Sequence, residues 1–357
     1  RVFGNDKLPD KKFSVSGKFQ GTPKGFAVRN FLAQVGNSDL LGEFSADLRG
    51  KPQIKGALVS THLDITDRTQ IPEDDVQAVE TSPDDDGEFL FSEERLETSW
   101  LQAANVDVDL QVDKLITNTV RVRDVHVGVK LLDGALSIEP IQLRDDFGGI
   151  AGEFRLAPQN DSYSLQLKID VDKIHAGLSA TKDQDRSTLP PISGRLELAG
   201  TGNSLRTIMA SSNGAITFRQ GTGTVKEVFG SAFFKDVLLQ VLRTLNPLSR
   251  SRDYQILECG IYDISIVDGR ATIDKFIMQT DTMTTVASGE VNLRNERLDI
   301  AFRAKPREGI GISLGTVANQ LLEVRGTLKS PRVAVDAGRT ATTTGAAVAT
   351  GGLSLLA

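Results

Sequence analysis

The sequence predicts a mainly β protein, a sheet grown by adding antiparallel hairpins, with one long amphipathic helix inserted. Three observations carry this. Apolar residues recur at every second position in "VDVDLQV" (106–112), "RVRDVHVGVKL" (121–131), "YSLQLKIDV" (163–171) and "GRLEL" (194–198), the period of a strand with one greasy and one wet face. Short runs of this kind are punctuated by Gly, Asp-Gly, Asn-Ser and Pro. And a hairpin unit repeats: "LDGALSIEPIQLRDDFGGIAGEFRL" from Leu132 aligns with "VDGRATIDKFIMQTDTMTTVASGEVNL" from Val267 through an Asp-Gly turn, a strand, and a second strand entered by a small-Gly-Glu step.

Taken in order, "FSVSGKF", "GEFSADL" and "IKGALVSTHLDI" give the first strands, a β-repeat part over residues 1–70. Residues 71–88 are acidic and unpatterned. "DDDGE" within them lacks the spacing and closing Glu of an EF-hand, so the segment reads as a solvated linker loop. A middle sheet part follows over 89–190, and a C-terminal module over 191–337. A weaker echo links the stretch from Val15 with that from Ile192. Within the C-terminal module, "VKEVFGSAFFKDVLLQVLRTL" (225–245) has apolar residues at helical spacing, a capping box from Thr224 and Glu227, and Asn246-Pro247 as its stop. Its five charges exclude a membrane-spanning helix and suit one lying on a sheet. The last part, 338–357, is a Gly/Ala/Thr-rich tail too short to span a bilayer.

Composition narrows the function. A net charge of −6 over 357 residues argues against a general nucleic-acid binder. The single cysteine, Cys259, has no partner for a disulfide and no zinc-type spacing around it. The three histidines carry no catalytic motif, and His126 falls on the polar face of its strand. "GTGTVKE" lacks the lysine of a nucleotide loop and reads as a helix cap, and "GIGISLG" (309–315) misses the dinucleotide pattern by one residue. No enzyme, cofactor or metal is therefore expected. The chain opens in polar sequence without a start Met and reads as a fragment whose targeting or membrane segment lies outside it.

From Gly194 onward, "GRLELAGTGNSLRTIMASSNGAITF", the capped helix, "ECGIYDISIVDGRATI", "QTDTMTTVASGEVNLRNERLDIAFRAKPREGIGISLG" and "VRGTLKSPRVAVD" follow one another in an order that closely resembles the C-terminal region of the AsmA-like proteins of Gram-negative bacteria. "VGNSDLLGEFSADLRGKPQIKGALVSTHLDI" (35–65) resembles the repeated β module of the same family. The resemblance is densest over 191–357 and loosest over 66–130. It implies a long sheet curled into an apolar trough of the β-taco type, with short helices near the C-terminal end, in a periplasmic protein anchored to the inner membrane by an N-terminal segment absent from this chain. It also implies phospholipid as cargo and a role in outer-membrane homeostasis, akin to TamB and the bridge-like lipid transfer proteins. Some twenty strands at ~4.8 Å would give a groove on the order of 100 Å.

The residues expected to line that groove are Val106, Val108, Leu110, Val112, Val125, Val127, Val129, Leu131, Tyr163, Leu165, Leu167, Ile169, Val171, Leu196 and Leu198. Pattern alone also allows them to be an ordinary core. Phe229, Phe233, Leu238 and Leu242 of the helix are candidates for a plug or a membrane contact, with packing as the default. Arg303, Lys305 and Arg307 are candidates for lipid headgroups. Two functions follow from these features: a lipid conduit, or a non-catalytic assembly factor that offers sheet edges to outer-membrane or other envelope proteins.

Overall fold

The computed structural model describes residues 12–66, 89–117, 121–175, 186–226, 254–307 and 321–335. Its nineteen strands are assigned to one large mixed sheet, and the chain divides into two compact units: Arg1–Asp86 with Glu97–Tyr163, and Gly87–Leu96 with Ser164–Ala357. The acidic linker, the Gly/Ala/Thr-rich tail and "GIGISLG" lie outside the described residues.

The first unit starts with three hairpin-connected strands, β1 (Phe13–Thr22), β2 (Gly25–Val35) and β3 (Ser38–Asp47), followed by β4 (Gln53–Ser60) and the two-residue β5 (Leu63–Asp64). After the 3-10 turn Ser99–Gln102 come β6 (Asn105–Ile116), β7 (Arg121–Leu132), β8 (Ala135–Arg144) and β9 (Gly149–Gln159), again antiparallel. The expected all-antiparallel sheet is corrected here, because β4 and β5 run parallel to β6. Parallel neighbours need a long crossover, and the chain between Asp64 and Asn105 supplies one.

The second unit holds most of β10 (Ser162–Ile174), then β11 (Ile192–Gly202), α1 (Leu205–Ala210), β12 (Asn213–Gln220), β13 (Gly223–Lys226) and β14 (Tyr254–Val267). An antiparallel run completes it: β15 (Arg270–Thr280), β16 (Met283–Asn292), β17 (Arg297–Pro306), β18 (Leu321–Thr327) and β19 (Pro331–Val335). The helix expected from residue 225 does not start there. Val225 and Lys226 belong to β13, paired with Gln255 and Tyr254, so "GTGTVKE" is neither a helix cap nor a phosphate loop. The stretch beyond, with Phe229, Phe233, Leu238 and Leu242, lies outside the described residues. Among the described residues helix is confined to α1 and short 3-10 turns, and none lies near the C-terminal end.

The hairpin repeat is real. Both copies turn on an Asp-Gly pair with positive φ, Asp133 (50°) and Gly134 (86°), Asp268 (49°) and Gly269 (72°), the geometry that matches the twist of the flanking strands. Both also carry a one-residue bulge in their first strand, between Ile138 and Ile141 and between Ile273 and Ile277. The weaker echo fails: where the first copy has β2, the second has α1, whose Ser204 cap and Thr207 exchange side-chain bonds in a capping box.

In the second unit the apolar face is closed over β14 to β18. Ile266, Ala271, Met283, Ala287, Leu298, Phe302, Leu322 and Val324 form one buried cluster with Leu293 and Leu328 from the turns. Leu90 and Phe91, more than 170 residues earlier in sequence than the cluster's first member, pack on it as well. A single carboxylate fixes them. Glu296, with no exposed surface, accepts the backbone N–H of Leu90 at 2.5 Å and of Phe91 at 2.7 Å. Arg206 holds the other side of this strap, donating to the Phe91 carbonyl at 3.1 Å, pairing with Glu93 and lying 4.1 Å over the Phe89 ring.

Candidate functional site

Strands β6 and β7 place their apolar residues opposite one another. Val106 faces Leu131, Val108 faces Val129, Leu110 faces Val127 and Val112 faces Val125, so eight predicted lining residues form four cross-strand pairs on one face. The intervening residues, Asp107, Asp109 and Gln111 opposite Lys130, Gly128 and His126, make the other face polar. His126 Nε2 lies 2.6 Å from Asp109 Oδ2, and this bond holds the Asp109 carboxyl below the ordinary carboxylate range.

The apolar face continues on both sides. Through the parallel pairing, Ile54, Gly56 and Leu58 of β4 sit beside Val106, Val108 and Leu110. On the other side Leu136, Ile138 and Ile141 of β8 sit beside Leu131, Val129 and Val127, and lead to Leu156 and Phe154 of β9. Phe44 and Ala46 of β3 extend the row from β4. Phe26, Phe31 and Phe44 then make edge-on ring contacts, Phe31 to Phe44 at 5.5 Å and Phe26 to Phe44 at 6.3 Å, and Phe19 of β1 stacks on Phe26. Eight strands at ~4.8 Å spacing carry this band about 34 Å across the sheet direction.

Burial along the band is uneven. Val112, Val125 and Leu131 are buried, but Val106, Val108, Leu110, Val127 and Val129 are only half-buried, as are Ile138, Ile141 and Phe154. Ile54 is 39% exposed and Phe19 69%. A face of this size left half-open is the kind that binds something apolar, since soluble monomers seldom leave contiguous apolar surface uncovered.

Other predicted residues are placed differently. Leu165, Leu167, Ile169 and Val171 are half-buried on β10. Tyr163 donates its hydroxyl to Thr98 Oγ1 at 2.5 Å. Leu196 pairs with Ile216, and Leu198 packs against the closed cluster of the second unit. Arg303 and Lys305 are exposed on the face opposite Phe302 and Ala304, whereas Arg307 pairs with Glu258 and donates to the Thr280 carbonyl. The phenylalanines at 19, 26, 31 and 44, together with Ile54, Leu58, Ile138, Ile141 and Phe154, are band residues that sequence reading missed. Its obstacle is local: Asn30, at φ 50°, bulges β2 between Val28 and Phe31, so both face the same way although three residues apart.

No group of three metal-ligating side chains occurs among the described residues, and no described helix is long and apolar enough to cross a membrane. The class defined by these features is a large β-sheet protein whose first unit carries an apolar band that the described residues leave half-covered. The chain belongs to the AsmA family: the family model matches residues 7–276. That range includes residues 66–130, where the resemblance read from the sequence is loosest, and stops short of β16 to β19, inside the stretch where it is densest. The chain is also similar to the AsmA family protein YhjG of Escherichia coli (strain K12), 23% identical over 329 residues. The alignment covers 88% of this chain and 46% of YhjG, so the chain spans less than half of that relative's length. No solved structure matches.

Proposed function

We propose that the apolar band of the first unit holds the acyl chains of phospholipid, and that the chain is the lipid-carrying portion of a periplasmic, inner-membrane-anchored protein serving outer-membrane homeostasis. AsmA family membership supports an envelope-related or bridge-like lipid transfer role, and the half-buried band is the observation that favours lipid as the cargo. Each methylene taken from water is worth about 0.8 kcal/mol, so about ten of them laid on the band give roughly 8 kcal/mol, enough to hold a lipid without a catalytic step. Headgroups stay in water along the open side of the band. Carriage of this kind needs neither cofactor nor chemistry.

The test is native mass spectrometry with lipid extraction of gently purified protein. Bound phospholipid that disappears in the variant Val108→Asp with Leu110→Asp, while Lys130→Glu on the polar face retains it, supports the reading; a wild-type protein that carries no lipid and takes up no acyl probe overturns it. A second reading, a non-catalytic assembly factor for outer-membrane proteins, draws on β1, whose ten residues are all exposed, Phe13, Val15 and Phe19 among them. Capture of an unfolded outer-membrane strand peptide by a lipid-free protein, lost on Val15→Pro, is the result that favours it.

A further inference from the structure

Three loops of the first unit are tied together at one end of its strands. The β3–β4 loop and the start of β6 are joined by Asn105 N–H donating to the Pro52 carbonyl at 2.8 Å; the β7–β8 turn joins them through Asp133 N–H to Asn105 Oδ1 at 3.0 Å and Lys51 Nζ to Asp133 at 3.2 Å. The β1–β2 turn meets the same rim, because Leu48 N–H donates to the Lys24 carbonyl at 2.9 Å. Three large apolar side chains at or beside these loops face solvent: Leu48 (48% exposed), Trp100 (56%) and Leu132 (63%), the last at the end of β7. Trp100 is the sole tryptophan of the chain. Its exposure is not that of a loose loop. The 3-10 turn that carries it fully buries the next residue, Leu101, closes with Ala103 N–H on the Trp100 carbonyl, and is preceded by Thr98, which accepts the Tyr163 hydroxyl.

We infer that this rim docks on the surface of a phospholipid bilayer, with Trp100, Leu48 and Leu132 entering the interfacial zone. The inference rests on the lipid reading above only for what the docking serves. Three observations choose a bilayer over a protein partner. Tryptophan is the side chain best suited to the membrane interface, apolar in body and polar at its N–H. The three tips stand on separate segments of the rim, which also carries two ion pairs, Arg49 with Asp47 and Lys51 with Asp133. That mixed, nearly neutral collar suits phosphate and choline or ethanolamine groups lying between the tips. Third, three isolated side chains fall far short of the roughly 800 Å² per partner that a stable protein interface buries, whereas peripheral insertion needs only a few such tips.

The sole tryptophan makes the rim its own reporter. The full chain is mixed with vesicles of phosphatidylcholine, with and without phosphatidylglycerol, and Trp100 emission is followed. Docking predicts a blue shift, quenching by lipids brominated along the acyl chain, and a partition constant lowered on the order of tenfold in Leu48→Asp with Leu132→Asp. Those two positions are exposed, so the variant keeps its fold, which far-ultraviolet circular dichroism verifies. Unshifted emission on both vesicle types overturns the inference. So does a shift that brominated lipid does not quench and salt abolishes, which means adsorption by charge alone, and so does a blue shift that grows with protein concentration without vesicles, which means contact between copies. Lipid retained in mass spectrometry together with an unshifted Trp100 removes the docking rim and leaves the lipid band standing; a shifted Trp100 with no retained lipid does the reverse.

Discussion

Glu296 is fully buried and Tyr262 half-buried, and each has a measurable consequence. Glu296 exists to satisfy backbone donors that the strap brings with it, so removing its carboxylate in Glu296→Ala leaves the N–H groups of Leu90 and Phe91 without their acceptor. At about 1–3 kcal/mol for each unsatisfied donor, urea unfolding of the variant is expected to show a loss of about 2–6 kcal/mol, and limited proteolysis to cut within 89–96. Glu296→Gln, which keeps one acceptor oxygen, loses less. Tyr262 donates its hydroxyl to Gln220 Oε1 at 3.0 Å on the closed face, and burial pushes its phenol up to about 12 from an ordinary 10.0. A raised folded-state pKa stabilises the fold below the unfolded value and ceases to do so as pH climbs past it. The contribution of Tyr262 is thus complete below pH 10 and lost between 10 and about 12. Ultraviolet titration is expected to show a late tyrosine ionisation, and Tyr262→Phe to remove that phase.

At the scale of elements, the two Asp-Gly hairpins offer a matched comparison. Both glycines have a φ that L residues resist, so alanine strains each by about 1 kcal/mol. Their surroundings differ. A Cβ on Gly134 meets the amide of the Gln102 side chain, which can swing away; on Gly269 it lies 2.3 Å from the Ala210 carbonyl at the end of α1, which cannot. Gly269→Ala is therefore expected to lower the melting temperature well beyond Gly134→Ala, measured by calorimetry on both. The repeat itself was legible because a turn needing positive φ twice in succession is written in two residue types. Strand faces were legible wherever the ladder ran straight, as between β6 and β7. They were lost at β2, where Asn30 inserts one residue and reverses the alternation, and at β8, where the bulge past Ile138 does the same. The start of the expected long helix misled for a related reason: Thr224 and Glu227 have capping chemistry, but Thr224 pairs with Ile256 in β13, and sheet pairing overrides a local propensity.

Across the molecule, the two units treat the same kind of face in two ways, and this can be measured. Leu322, with no exposed surface at the heart of the second unit's cluster, is a core residue: Leu322→Ala is expected to cost about 2–5 kcal/mol in denaturant and leave lipid loading unchanged. Val108→Asp is expected to do the opposite, abolishing lipid loading at a stability cost below that of Leu322→Ala, since its side chain is already half in water. Equal effects of both variants on loading would mean that the band is ordinary core.

The sequence by itself determined the β class, the hairpin repeat, the absence of a basic surplus for nucleic acid and, over β6 and β7, which side chains share a face. Those properties follow from period, turn chemistry and composition, all local. Which apolar faces are sealed was decided only in three dimensions. "VDVDLQV" and "LDIAFRA" (298–304) both put an apolar residue at every second position, yet Val108 stays half-open while Leu298 and Phe302 lie in a cluster closed by later strands and by Leu90 and Phe91, pinned from far away in sequence by Glu296. Alternation states that a strand has a face to cover; what covers it depends on contacts between residues tens to hundreds of positions apart, which no short window contains.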